Sequence, residues 1–109
     1  MNLNDYQTFV KEISVYPNVG ENIIYPVLGL CGETGEVAEK IKKVIRDNNG
    51  VITKEKQIEI GKELGDVIWY IAAICNELKL DLSDVLLANM EKLNSRKDRD
   101  KLQGNGDNR

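Results

Sequence analysis

The stretch GLCGETGEVAEKIKK, residues 29–43, decides how this chain folds. Its apolar residues recur at helical spacing, yet it contains three glycines and three glutamates, at Gly29, Gly32, Gly35, Glu33, Glu36 and Glu39. Each glycine inside a helix lowers helix stability by about 1 kcal/mol relative to alanine. Glutamates three positions apart lie on neighbouring turns and repel one another. A helix that accepts both penalties indicates a function for this segment.

Length and composition indicate a single globular domain of ordinary composition. The 109 residues suit a single domain, with 41% hydrophobic and 30% charged residues. No apolar run approaches the roughly 20 residues that span a membrane. The start of the chain, MNLNDYQTF, lacks the basic and apolar regions of a signal peptide, so we expect a cytoplasmic protein without a membrane partner. The net charge of −3 argues against a nucleic-acid partner, which needs a basic surface.

The chemistry available to this chain is limited by its lack of histidine. Histidine is the commonest general base and the commonest transition-metal ligand, so catalysis has to use carboxylates, amines, hydroxyls or a bound ion. The two cysteines, Cys31 and Cys75, stand at apolar positions of predicted helices without a CxxC spacing. We therefore expect both to be reduced thiols in the core.

Hydrophobic periodicity predicts an all-α fold with four helices and no strand. The predicted spans are about Leu3–Val15, Tyr25–Asp47, Lys54–Leu78 and Ser83–Arg96. Thr53 is the expected N-cap of the third helix, and Asp81 or Ser83 that of the fourth. Residues 1–96 form the predicted helical domain. Residues 97–109 hold one apolar residue in thirteen, which favours a mobile tail or a segment that orders on a ligand.

Two acidic motifs repeat thirty positions apart, ETGEV at residues 33–37 and ELGDV at residues 63–67. Helical spacing places Glu33 and Glu36 beside the apolar face of the second helix, and Glu63 and Asp66 at the same offset on the third. If these faces pack antiparallel, the four carboxylates converge at the edge of the core. Gly32, Gly35 and Gly65 would then let a backbone or a ligand come close.

Four converging carboxylates repel one another and need a neutralising charge. Lys40 and Lys62 can supply part of it, but an all-oxygen ligand set without histidine or cysteine favours Mg²⁺, with Mn²⁺ as an alternative. A di-iron site needs histidines that this chain lacks. Without the four acids the formal charge is −3 + 4 = +1, which suits an anionic ligand. The competing interpretation is an ordinary solvated acidic surface.

These residues resemble a known family. Glu33-x-x-Glu36 followed by Glu63-x-x-Asp66 is similar to the EXXE–EXXD signature of the MazG-type all-α nucleoside triphosphate pyrophosphohydrolases. The words LCGETGEVAEKIKK, KELGDVIWYIAAI and NMEKLNSR and the ending LQGNGDNR are also similar to short members of that family. The resemblance covers about residues 25–109. The phosphoribosyl-ATP pyrophosphohydrolases share the fold and the acidic helices.

The resemblance implies a Mg²⁺-dependent hydrolysis of a nucleoside triphosphate to its monophosphate and pyrophosphate, as nucleotide-pool house-cleaning. It implies a four-helix bundle completed by oligomerisation, as a homodimer or homotetramer. By this resemblance the four motif acids would bind metal, and Lys92 and Arg96 would contact the phosphates. We also expect one of the acids, Glu36, to orient the attacking water, and Asn89, Lys40 and Arg109 to take part in substrate binding.

Alternatives remain at this stage. The first is a non-enzymatic helical oligomerisation or adaptor module whose acidic faces are solvated, and metal dependence separates it from an enzyme. The second is a phosphoribosyl-ATP-type pyrophosphohydrolase. Trp69 and Tyr70 border the acidic face of the third helix, where they could stack on a base or belong to the core or an interface. Lys92 and Arg96 could instead form a solvated basic face.

Overall fold

The structure is a computed structural model that describes all residues, 1–109, and it contains four helices and no strand. The helices are α1 (Leu3–Ile13), α2 (Ile24–Asp47), α3 (Lys54–Leu78) and α4 (Leu82–Asp98). The predicted all-α fold is therefore confirmed, with every helix boundary within two residues of its predicted position. None of the helices has the length and apolar character needed to cross a membrane.

Local capping interactions set where three helices begin. The side chain of Asn2 accepts the backbone N–H of Asp5, whose carboxylate in turn accepts the N–H of Asn2, forming a capping box at α1. Thr53 caps α3 as predicted, by accepting the N–H of Lys56 at 3.1 Å. At α4 the cap is Asp81, which decides between the two predicted candidates.

Helices α2 and α3 form an antiparallel hairpin through the turn at residues 48–53. Gly29 lies against Tyr70, whereas further along α2 Lys40 lies against Glu63. Sequence position thus rises along one helix as it falls along the other. The predicted antiparallel packing of these two helices is confirmed, and it places the two acidic motifs opposite each other.

The buried core is small and lies at one end of the molecule. It joins α1, the C-terminal half of α3 and the start of α4, and consists of Val10, Tyr16, Ala72, Ala73, Cys75 and Leu82. Gln7 fastens this junction with its amide group. Its Nε2 donates to the carbonyl of Leu80 at 2.8 Å, and its Oε1 accepts the N–H of Leu82 at 2.8 Å. The start of α4 is therefore fixed to α1.

Several large apolar side chains are exposed in this chain. Phe9 of α1 is 49% exposed, and Met90 of α4 is 59% exposed. Cys75 is buried as expected, but Cys31 is exposed, so its prediction as a core thiol was wrong. The reason is geometric, because a single copy of four long helices has too few layers to cover every apolar face.

Candidate metal centre

Three carboxylates converge where α2 and α3 face each other. One oxygen from each of Glu33, Glu63 and Asp66 lies within 4.8 Å of the other two. Glu63 and Asp66 share a face of α3 because residues three positions apart on a helix are neighbours. The antiparallel pairing brings Glu33 of α2 opposite them. The convergence predicted from the two motifs is thus present for these three side chains.

Negative charge at this centre is poorly compensated. Partial burial raises the pKa of Glu33, and so do its hydrogen bond to Glu63 and the negative charges of Asp66, Glu63 and Glu36. The nearest basic group is Lys40, whose Nζ lies 3.8 Å from Oε1 of Glu63. One amine facing three or four carboxylates leaves an excess of negative charge. The centre therefore favours binding of a cation.

The donor set fits a hard divalent ion. Mg²⁺ and Ca²⁺ bind oxygen ligands at about 2.0–2.6 Å, and the carboxylate oxygens of Glu33, Glu63 and Asp66, which lie within 4.8 Å of one another, can converge on one such ion. No histidine or free thiol belongs to the group, which disfavours zinc and iron. These residues are compatible with the metal that the sequence predicts.

The remaining acids of α2 lie outside this group of three. Glu36 is exposed, and it acts on the centre only through its charge, which helps to raise the pKa of Glu33. Glu39 is engaged elsewhere, because the Nζ of Lys42 lies 2.9 Å from its Oε1 and lowers its pKa. Glu36 therefore stands at the rim of the centre, and Glu39 belongs to a solvated surface pair.

An aromatic wall adjoins the carboxylates. A cleft of about 300 Å³ is lined by Glu33, Asp66, Trp69 and Tyr70. The two rings meet edge to face, with centroids 5.1 Å apart. Tyr70 packs over the backbone of Gly29, which leaves no room for a side chain there. The lining of the cleft thus combines two acidic and two aromatic side chains.

The comparisons with known proteins agree with this arrangement. The family model of the MazG nucleotide pyrophosphohydrolase domain matches residues 26–99, which is most of the chain and includes both acidic motifs. This chain belongs to the MazG family. It is also similar to the Gene 37 protein of Mycobacterium phage L5, with 46% identity over 114 residues that cover the whole of both chains. No solved structure matches it.

The basic residues predicted to bind phosphate lie on a separate part of this MazG-family chain. Helix α4 packs mainly against α1, and no ion pair joins Lys92 or Arg96 to the carboxylate centre. Lys92 instead contacts Asp107 of the tail, with 2.8 Å between Nζ of Lys92 and Oδ1 of Asp107. Arg96 is buried and donates from Nη2 to the carbonyl and the carboxylate of Asp107. Asn89 is exposed on the same helix.

The tail of this MazG-family chain folds back on α4 around Arg109. The guanidinium of Arg109 donates to the carbonyls of Lys101 at 3.0 Å, Leu102 at 2.8 Å and Gly106 at 2.6 Å. The guanidinium of Arg109, which was predicted to contact substrate, is therefore engaged within the tail. Ordering of the tail over a substrate stays a prediction.

The specific role of Asp107 was missed by the sequence analysis. Basic residues four positions apart, such as Lys92 and Arg96, signal an anionic partner, but their spacing cannot say which anion it is.

Proposed function

We propose that this chain is a Mg²⁺-dependent nucleoside triphosphate pyrophosphohydrolase, which converts a (d)NTP to the (d)NMP and pyrophosphate in the nucleotide pool of the cytoplasm. The observation that carries the proposal is the convergence of Glu33, Glu63 and Asp66 inside a MazG domain. Membership of the family supports a nucleotide pyrophosphohydrolase. The acidic centre beside an aromatic cleft supports a charged, metal-associated substrate with a planar base.

In this proposal Glu33, Glu63 and Asp66 hold Mg²⁺, for which Mn²⁺ can substitute, and Glu36 completes the ligand set from the rim. A divalent cation bound here neutralises phosphate charge and lowers the pKa of water. Lys40 limits the repulsion among the acids through its contact with Glu63. Glu36 is exposed and free of an ion pair, so its carboxylate can accept a hydrogen bond from the attacking water and orient it.

The substrate spans the cleft and a basic surface. The base lies against Trp69 and Tyr70, whose half-buried rings offer a face for stacking. The triphosphate lies over the acids, and the pyrophosphate that leaves carries negative charge that basic side chains stabilise. Lys92 and Arg96, with Asn89 beside them, are the groups assigned to that task. Arg109 shapes the tail next to them.

A second copy of the chain is needed to bring these parts together. The chain exposes 8101 Å², whereas a compact monomer of its mass exposes roughly 6,100 Å². Its radius of gyration is 17.0 Å, against about 13 Å for a compact domain of this length. The excess area is of the size that subunit interfaces bury. We therefore propose a homodimer or homotetramer in which α4 of one copy delivers Lys92 and Arg96 to the acidic centre of another.

Pyrophosphate release from a panel of canonical and modified dNTPs and NTPs, with Mg²⁺ and with EDTA, tests the proposal. We expect metal-dependent release with the monophosphate as co-product, loss of release in Glu63→Gln, and full release in the matched control Glu39→Gln. Absence of release from every nucleotide by folded protein with metal would overturn it. Activity on phosphoribosyl-ATP would then support a phosphoribosyl-ATP pyrophosphohydrolase. A melting temperature that does not change with Mg²⁺ would support the adaptor module.

A further inference from the structure

Two cations on α4 share one carboxylate oxygen from the tail of the same chain. The Nζ of Lys92 lies 2.8 Å from Oδ1 of Asp107, and Nη2 of Arg96 lies 3.2 Å from the same atom. Lys92 and Arg96 are four positions apart, so both side chains emerge from one face of the helix. An oxygen of a phosphate group bound by this pair would stand where Oδ1 of Asp107 stands.

Burial is unequal among the three side chains. The side chain of Arg96 is 6% exposed, the side chain of Lys92 is 38% exposed, and the side chain of Asp107 is 77% exposed. The cationic side is therefore built into the protein, whereas the anion lies at the solvent boundary. Ion pairs with an exposed partner contribute little to stability, so this contact can be exchanged for another anion. A polyphosphate carries more charge and more acceptor oxygens than one carboxylate, which favours the exchange.

The tail forms a small loop with internal hydrogen bonds of its own, and Arg99 of α4 joins its end to the helix by donating from Nη1 to the carbonyl of Arg109. Arg109 holds residues 101–106 together through three backbone carbonyls, and none of these bonds involves Lys92 or Arg96. Gly104 and Gly106 have φ angles of +133° and +86°, which residues with side chains rarely adopt. The loop can therefore keep its internal shape, with Arg96 still bonded to the backbone carbonyl of Asp107, while the carboxylate of Asp107 leaves the two cations.

We propose that Asp107 is an internal competitor, which occupies the phosphate subsite formed by Lys92 and Arg96 until a polyphosphate displaces it. The anion exchange stands on the geometry of the tail, while its identification with substrate binding rests on the proposed function. Asp107 lowers the affinity for the incoming phosphate chain. It also returns to the cations when pyrophosphate leaves, so that the released product does not rebind readily.

Binding of inorganic tripolyphosphate without added metal tests this proposal by calorimetry. Asp107→Asn removes the competing charge and should bind tripolyphosphate about two- to fivefold more tightly, the factor that corresponds to an exposed ion pair. Asp100→Asn is the matched control, because Asp100 lies in the same segment, has no ion pair, and has a φ of +56° that asparagine tolerates. Equal or weaker binding by Asp107→Asn than by Asp100→Asn would overturn the proposal.

NMR provides a second readout that does not depend on a variant. Saturating tripolyphosphate should shift the side-chain carboxylate resonance of Asp107 in the unmodified protein, because this carboxylate leaves its two cations, whereas the resonances of residues 101–106 should change little because Arg109 still holds their carbonyls. An unchanged carboxylate resonance of Asp107 at saturation would contradict the proposal. Neither measurement needs turnover, so the two proposals can fail separately. Tighter binding by Asp107→Asn in a protein without hydrolase activity would support the exchange of Asp107 for a polyphosphate and overturn the proposed function. If the protein hydrolyses nucleotides but Asp107→Asn does not bind tripolyphosphate more tightly, the proposed function stands and the role of Asp107 as a competitor is wrong.

Discussion

The ring of Tyr70 fills the space that a side chain at position 29 would occupy. A Cβ atom on Gly29 would overlap Cε1 and Cζ of this ring, whereas a Cβ on Gly32 or Gly35 meets no atom within 4 Å. The glycine penalty at position 29 is thus explained by close packing of α2 on α3. Within one chain nothing approaches Gly32 or Gly35, so the predicted close approach at those positions remains a prediction about a ligand or a second copy.

Gly29→Ala should lower the free energy of unfolding by about 1–3 kcal/mol, because an overpacked contact forces Tyr70 to move. It should also raise KM, since Tyr70 lines the cleft beside Glu33. Gly61→Ala is the control, because a Cβ there meets no atom within 4 Å, and it should gain about 1 kcal/mol from helix propensity. Thermal unfolding and steady-state kinetics measure both effects. If removal of the ring in Tyr70→Ala does not relieve the penalty in the double variant, the steric explanation is wrong.

Substitution of the acids should separate metal binding from turnover. Glu33→Gln, Glu63→Gln and Asp66→Asn each remove a converging carboxylate, so Mg²⁺ should no longer raise the melting temperature. In the unmodified protein, Mg²⁺ at 100 times its dissociation constant should stabilise the fold by about 2.7 kcal/mol.

Glu36→Gln leaves the group of three acids intact and should keep most of the metal-induced stabilisation. It should nevertheless lower kcat by about 10²-fold or more, because the attacking water loses its acceptor. Glu39→Gln should resemble the unmodified protein in both assays. Unchanged kcat in Glu36→Gln would remove Glu36 from catalysis, and unchanged metal response in all three other variants would remove the metal centre.

Two inactive variants should restore activity when their subunits are mixed. Glu63→Gln lacks the acidic half of the site and Lys92→Gln lacks part of the basic half. If α4 acts on a neighbouring copy, a mixed dimer contains one site with both halves intact. Statistical exchange then gives about a quarter of unmodified activity. Subunits that exchange without any recovery would show that Lys92 acts within its own chain or not at all.

Glu77 should contribute stability that depends on pH. Its carboxylate accepts the hydroxyl of Tyr16 and the N–H groups of Gly20 and Asn22, which fastens the α1–α2 loop to α3. Burial acts to raise its pKa, but these hydrogen bonds outweigh burial and lower the pKa below the ordinary 4.5. A lowered folded-state pKa means that the stabilisation is complete above the unfolded-state pKa and is lost as pH falls through the folded-state value.

Glu77→Gln should therefore reduce stability at pH 7 by about 2 kcal/mol, in the range found for hydrogen bonds to charged groups. The difference from the unmodified protein should narrow as pH falls below 4.5. Glu12→Gln, at an exposed position of α1 without an ion pair, is the control and should show no such trend. Urea unfolding at a series of pH values measures the free energy of unfolding of both proteins. If their difference does not change with pH, the charge of Glu77 is not the source of its stabilising effect.

The local features of this protein follow from its sequence. Apolar periodicity and the caps at Thr53 and Asp81 locate the helices, because helix formation depends on neighbouring residues. The spacing of Glu63 and Asp66 places both on one face for the same reason. The two acidic motifs together also indicate the family, since they combine charge, glycine and position in one pattern.

The tertiary structure decided which of these residues meet. The offset and rotation of α2 on α3 select Glu33 to join Glu63 and leave Glu36 at the rim, and no local pattern encodes that offset. The same holds for the exposure of Cys31 and for the pairing of Lys92 with Asp107. Burial of an apolar face depends on the surface placed opposite it, and a helix repeat specifies the face without specifying its partner.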